Sequence, residues 1–181
     1  MEKKELRALV MQLKQELSQE QKLHESKAVF DYIESMDIFK QAQSILLYHS
    51  LPDELPTHHI INKWAETKQI YLPRVNGDDL DILPYDSSLT DDNRFHIFEP
   101  TGTQVFSPNN LDIIIVPAVA LDKQCNRMGR GKGFYDRLLN GLTHPYTIGV
   151  GFSCQLFDTI PCEPHDKRLN AVITPDFKTT I

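Results

Sequence analysis

Four consecutive β-branched apolar residues, Ile113-Ile114-Ile115-Val116, constrain the fold of this chain more than any other segment. A strand that is apolar at every position has no face to leave in water. It must lie inside a sheet covered on both sides, as the central strands of parallel sheets do. Parallel neighbours need long crossovers, usually helices. The flanking sequence supplies them. Ser44-Ile45-Leu46-Leu47-Tyr48 reads as a short buried strand, Ile60, Ile61 and Trp64 as the inner face of a helix, and Gln69 to Leu72 as the next strand. After the Ile113 strand, a helix from Gly133 to Asn140 and strands at Thr147 to Val150 and Ala171 to Thr174 continue the alternation. Asn76-Gly77, between Val75 and Leu80, signals a tight hairpin in which both residues tolerate positive φ. The expected fold is α/β: a mostly parallel central sheet flanked by helices on both faces, with a local antiparallel hairpin. Residues 1–181 are expected to form a single domain, a length that supports one sizeable core.

Ahead of the first strand, Leu6, Leu9, Val10, Leu13 and Leu17 recur at helical spacing and predict an amphipathic helix with its charged face in solvent. Ser18 and Gln21 have the form of a capping box that opens a second helix, with a stripe of Leu23, Phe30 and Ile33 running to about Met36. Residues 86–110 are rich in Asp, Ser, Asn, Thr and Pro and read as irregular surface chain around a short apolar piece, Phe95 to Phe98. Trp64 and Tyr71 are expected in the core, and His58 on the surface near a helix start.

Charge limits the partners. With 19 Lys and Arg against 25 Asp and Glu, the net charge is −6, so no global field exists to hold nucleic acid or an anionic membrane, and any anion site must be local. Three cysteines without CxxC spacing argue against a disulfide framework and a structural zinc site. The longest apolar run, Ile113 to Leu121, holds Pro117 and is far shorter than the ~20 residues that span a bilayer. Met1-Glu2-Lys3-Lys4-Glu5 does not lead into the apolar stretch of a secretory signal. The expectation is a soluble, cytoplasmic monomer with no nucleic-acid or membrane partner.

A local anion site is conspicuous. In Arg127-Met128-Gly129-Arg130-Gly131-Lys132-Gly133-Phe134-Tyr135-Asp136, three cations fall within six residues and three glycines alternate with two of them. Glycines bring backbone N–H groups close to a ligand, the following helix start adds partial positive charge, and Arg offers a planar fork for phosphate. Its place after a buried strand and before a helix is where open α/β sheets bind ligands. The segment is not a P-loop, because Gly133 follows Lys132 where Ser or Thr is required, and it lacks the spacing of a dinucleotide fingerprint. On spacing alone, Asp136 is a helix-dipole acid or an i,i+4 partner of Lys132, or it meets a divalent cation on bound phosphates. Lys3 and Arg7, one turn apart, would ordinarily be a solvated face.

The segment Val116-Pro117-Ala118-Val119-Ala120-Leu121-Asp122 and the basic loop after it resemble the signature of the 5-formyltetrahydrofolate cyclo-ligases. Lys3-Lys4-Glu5-Leu6-Arg7, Asp53-Glu54-Leu55-Pro56-Thr57, Ile97-Phe98-Glu99-Pro100 and Pro164-His165-Asp166 resemble further elements of that family in the same order. The resemblance implies an enzyme that uses ATP and Mg²⁺ to close 5-formyltetrahydrofolate into 5,10-methenyltetrahydrofolate, releasing ADP and phosphate through phosphorylation of the formyl oxygen. It implies ATP binding by Lys3, Arg7 and Arg127, Met128, Gly129, Arg130, Gly131, Lys132, Gly133, Phe134 and Tyr135. Substrate contacts would come from His49, Glu54 and Arg130 to Phe134, with Arg130 and Lys132 as the catalytic cations. Asp136 and Asp166 match the family's metal positions, and no general base is assigned. Two departures stand out: Cys125 replaces a glycine usual in the turn before Arg127, and Phe134 replaces a common tyrosine. Read from the residues alone, a non-catalytic phosphate-ligand or RNA-binding module using the same loop is the alternative, as is an α/β enzyme acting on sugar phosphates or CoA thioesters.

Overall fold

In the computed structural model, residues 1–91, 98–164 and 166–181 are described. The Phe95 to Ile97 part of the apolar piece, Ile97 of the Glu-Pro element and His165 therefore lie outside the described residues.

The chain opens with three helices, α1 (Lys3–Gln15), α2 (Gln19–Ser35) and α3 (Asp37–Gln41), and enters the sheet at β1 (Ser44–Leu46). The Ser18 hydroxyl accepts the Gln21 N–H and the Gln21 side chain accepts the Ser18 N–H, so the capping box starts α2 as the spacing predicted. Helix α4 (His58–Ala65) crosses over to β2 (Gln69–Asn76), which turns back into β3 (Asp79–Pro84). At that turn Asn76 pairs with Asp79, so the two central residues are Gly77 and Asp78. Gly77 takes the positive φ of +63°, while Asn76 remains in the strand.

Residues expected to be irregular instead pair as two short antiparallel strands, β4 (Leu89–Asp91) and β5 (Phe98–Pro100). Strand β6 (Ile113–Pro117) runs into a hairpin, β7 (Ala120–Asp122) and β8 (Arg127–Met128), before helix α5 (Phe134–Leu139). The chain ends through β9 (Tyr146–Val150), β10 (Leu156–Phe157), β11 (Ala171–Thr174) and β12 (Phe177–Thr180).

The seven strands of the main sheet lie in the order β12, β11, β9, β6, β1, β2, β3. β6 holds the middle, parallel to both β9 and β1, with Ile113 to Val116 completely buried. One face packs under α2, α3 and α4 through Phe30, Ile33, Phe39, Ile61 and Trp64. The other face is closed by α5 and by the small sheet of β10, β7 and β8, through Leu121, Cys125 and Leu139. Antiparallel hairpins close both edges of the main sheet, β2 with β3 and β11 with β12. The second hairpin carries no Gly and turns instead at Pro175-Asp176, between Thr174 and Phe177.

Two helix faces differ from expectation. Leu23 is exposed, and its place in the α2 stripe is taken by Ser26 and Val29. Lys14, on the supposedly solvated face of α1, is only 4% exposed. Trp64 and Tyr71 are buried, as expected.

Cys125 sits in the β7–β8 turn at φ +65°, a left-handed conformation that L side chains rarely adopt. Its buried thiol is held above the usual range, by burial first and then by the Asp122 charge, which leaves it poorly reactive. The strain makes a testable inversion: Cys125→Gly should be more stable than Cys125→Ala by about 1 kcal/mol in denaturant titrations, because only glycine escapes the Cβ clash.

Candidate active site

The carboxyl ends of β6 and β1 open on a cavity of about 410 Å³. Pro117, Ala118 and Val119 form its floor, Tyr48, His49, Leu51 and Glu54 one wall, and Pro73, Val75 and Leu80 of the β2–β3 hairpin another. Phe98 and Glu99 reach it from β5, and Arg127 together with the run from Gly129 to Asp136 completes it. The basic loop thus lies at the end of the central buried strand, one hairpin later than the sequence suggested.

Local conformation explains the glycines. Gly131 has φ +93° and Gly133 φ +73°, and a Cβ at Gly131 would stand 3.4 Å from the Arg7 guanidinium. Gly133 caps α5, which has six residues and no side-chain cap. So short a helix adds less field than the sequence reading assumed, and the site depends on side-chain cations.

Those cations are held by named partners. Arg127 is buried and its Nη2 donates to Asp136 Oδ1 at 2.5 Å. Arg130 donates from Nη2 to Asp53 Oδ1 at 2.6 Å and to Glu54 Oε1 at 3.1 Å. Arg7 Nε donates to the Gly129 carbonyl at 3.0 Å, so it braces the loop from behind. Lys3 Nζ lies 2.9 Å from Asp166 Oδ2 and 2.7 Å from Glu163 Oε2. Burial disfavours the Lys3 charge, but the Glu163 and Asp166 hydrogen bonds outweigh it and hold its pKa above the usual value. For Asp53 burial again works against the charge, and the hydrogen bonds from Lys14 and Arg130 prevail, holding the carboxyl below its ordinary range.

Of the residues singled out from sequence, His49, Glu54, Arg127, Gly129, Arg130, Gly131, Lys132, Gly133, Phe134, Tyr135 and Asp136 line this one cavity. Met128 instead turns into a small core with Leu6, Val10 and Ile160. Lys3, Arg7 and Asp166 are outside the cavity lining, Arg7 against the loop and Asp166 beside Lys3. Asp136 pairs with Arg127 rather than with Lys132. Sequence reasoning gave no role to Glu99, which is 7% exposed on the cavity wall and accepts the Val75 N–H at 2.7 Å. The Glu-Pro element was the signal that pointed at it.

Mg²⁺ needs hard oxygen donors and usually keeps only one or two carboxylates beside phosphate and water. Asp136, a half-buried carboxylate on the cavity wall, fits that donor set, and Asp166 offers the same chemistry beside Lys3. Among the described residues no three His, Cys, Asp or Glu side chains gather as a closed metal cage.

Residues 1–175 match the 5-formyltetrahydrofolate cyclo-ligase family. The chain belongs to that family. It is 37% identical over 139 residues to the 5-formyltetrahydrofolate cyclo-ligase of Haemophilus influenzae, covering 72% of this chain and 74% of the relative. The mouse 5-formyltetrahydrofolate cyclo-ligase is 28% identical over 190 residues, covering 96% and 94%. The NMR structure of Aquifex aeolicus 5,10-methenyltetrahydrofolate synthetase superposes with a TM-score of 0.89 at 29% identity, covering 99% of this chain and 93% of that one. As a cyclo-ligase family member the chain is an enzyme of the ligase class. No helix among its described residues is long and apolar enough to cross a membrane.

Two side chains of the cavity make predictions of their own. His49 stacks on His58 with ring centroids 3.9 Å apart, and His58 itself is exposed at the start of α4. Burial, then the His58 charge, lowers the His49 pKa from 6.5 to about 4. Between those values the unfolded chain takes up a proton that the folded one refuses, so this contribution to stability is complete above pH 6.5 and is lost as pH falls towards 4. Allowing for screening at this half-open position, the loss is about 1–2 kcal/mol. Denaturation midpoints at pH 7 and 4.5 should diverge more for the wild type than for His49→Gln.

The Tyr135 hydroxyl is buried and has no hydrogen-bond partner among the described residues. Burial, reinforced by the Glu54 charge, drives its pKa up, so it remains a neutral donor. An unsatisfied buried hydroxyl costs about 1 kcal/mol or more. Tyr135→Phe should therefore raise the unfolding free energy of the ligand-free protein by about that amount, measured by urea titration.

Proposed function

We propose that the chain, acting as a single domain, converts 5-formyltetrahydrofolate to 5,10-methenyltetrahydrofolate with ATP as co-substrate. The observation that carries this reading is the meeting of Arg130, Lys132 and the Gly129 to Gly133 backbone with Glu54 around one cavity of about 410 Å³. That size is within the range of small-molecule sites.

The chemistry asks for positioning and charge neutralisation. A formyl oxygen is a poor leaving group. When it attacks the γ-phosphorus, the bond to the bridging oxygen breaks and ADP leaves with the electron pair. The neighbouring folate nitrogen then attacks the activated carbon, the carbon–oxygen bond breaks, phosphate departs and the nitrogen gives up its proton. Arg130 and Lys132 would hold the phosphoryl oxygens, where charge develops during transfer. Arg127 and the loop N–H groups would grip the rest of the triphosphate, with Arg7 and Lys3 supporting the loop from α1. Glu54 would accept hydrogen bonds from pterin nitrogens, and His49, neutral and stacked, would face the same ring system. Asp136 would hold Mg²⁺ at the cavity wall, where the ion would supply charge neutralisation on the phosphates, and Asp166 offers a second carboxylate outside the lining, beside Lys3. An RNA-binding module using this loop has less support, since the basic loop faces a concave wall carrying Glu54, Glu99 and Asp136.

The test is to incubate the purified protein with 5-formyltetrahydrofolate, ATP and Mg²⁺, following methenyl absorbance and ADP together. Stoichiometric formation of both is expected. Product without ATP, or ADP without folate, would overturn the reading.

A further inference from the structure

The buried Lys14 is the least expected charge in the molecule. It sits on α1, away from the basic loop in sequence, with its side chain 5% exposed. A buried ammonium is costly unless it is paired and hydrogen-bonded. Its Nζ donates to the Asp53 carbonyl at 2.7 Å and to Asp53 Oδ2 at 2.8 Å. The other Asp53 oxygen, Oδ1, accepts Arg130 Nη2 at 2.6 Å. One carboxylate is thus shared between a fixed interior cation and a cavity cation.

We propose that Asp53 is a positioning residue: anchored by Lys14, its carboxylate holds the Arg130 guanidinium at the mouth of the cavity. This rests on the reading of Arg130 as a ligand-binding cation. The Arg130 side chain is 44% exposed and has several rotatable bonds, so without a fixed partner it would sample many directions. Glu54 also contacts it, Oε1 accepting from Nε at 3.2 Å and from Nη2 at 3.1 Å. Glu54, however, lines the cavity and is the acid assigned to the pterin, whereas Asp53 is absent from the lining. When substrate engages Glu54, Asp53 is the carboxylate that still orients Arg130. The hydrogen bonds that hold Asp53 ionised keep this tether charged. Misplacing a reacting group's partner by about an ångström costs up to about a hundredfold in rate, so a partial loosening should cost about tenfold.

The experiment is a mutant cycle on steady-state turnover with the wild type, Asp53→Asn, Arg130→Ala and the double variant. Asp53→Asn should lower kcat/KM about tenfold, and the double variant should be no slower than Arg130→Ala within about twofold. Asp53→Glu should recover part of the loss. A full Asp53→Asn loss recurring on the Arg130→Ala background would overturn the proposal, since Asp53 would then act through something else. So would wild-type turnover in Asp53→Asn. If Arg130→Ala alone turns over like the wild type, the reading of Arg130 itself fails and the proposal falls with it, a result separable from the first two. Should Asp53→Asn fail to fold because Lys14 is left uncompensated, the pair Lys14→Met with Asp53→Ser removes both charges. It is expected to show the same tenfold loss, and wild-type turnover in that pair would overturn the proposal.

Discussion

Replacing Lys132 or Arg130 by alanine should lower turnover by about 10²–10³-fold while changing the unfolding free energy by less than about 1 kcal/mol. The asymmetry follows from where the two side chains stand. Lys132 is exposed on the cavity rim and Arg130 is 44% exposed, so neither holds core elements together. The Arg130 pair with Asp53 is open to solvent on both sides, and Glu54, its more buried partner, still accepts the Leu51 N–H when Arg130 is removed, so the pair contributes little to folding. In the proposed reaction they act where the phosphoryl group carries its charge, in a cavity with low-dielectric walls, and there the same charges count for far more. Stopped-flow or steady-state rates beside urea titrations separate the two quantities. Unchanged rates in both variants would remove the loop from the chemistry.

Removing the Asp136 carboxylate should act in both directions at once. Arg127 is buried, with only 3% of its side chain exposed, and its contacts are Asp136 at 2.5 Å, the Pro117 carbonyl at 3.5 Å and the Tyr135 ring. Asp136→Ala would leave a buried guanidinium without its counter-charge, a loss that usually costs 3–5 kcal/mol. The partial opening of Asp136 to solvent, 33% of its side chain, places the expected cost near the lower bound, about 3 kcal/mol. Turnover should fall as well, since the proposed Mg²⁺ ligand goes with it. Asp136→Asn keeps a hydrogen-bond acceptor for Arg127 and should recover part of the stability but little of the rate. A variant that folds like the wild type and keeps its rate would disprove both roles of Asp136.

The chain's sequence carries most of the fold because the decisive patterns are local and unambiguous. Ile113 to Val116 has no polar face, and the sheet indeed places it in the middle. The capping box at Ser18 is a four-residue device whose hydrogen bonds need no tertiary partner. What escaped were features made by contact between distant segments. Nothing in the periodicity of α1 distinguishes Lys14 from its solvated neighbours; only Asp53, arriving from 39 positions away, makes its burial tolerable. Strands of two or three residues such as β5, β7, β8 and β10 are too short to show alternation. In the site, the Gly-rich loop announced itself through composition. Its apolar walls, Pro73, Val75 and Leu80, did not, because apolar residues of a strand look the same whether they face a ligand or a core. Lys3 and Arg7, ordinarily a solvated pair, were singled out only through family resemblance, and each has a specific partner across the fold.

The arginines of this site each have a partner of their own: Arg127 has Asp136, Arg130 has Asp53 and Glu54, and Arg7 has the Gly129 carbonyl. Their guanidinium groups are therefore aimed in advance, so an anion that meets them has less side-chain freedom to freeze out on binding.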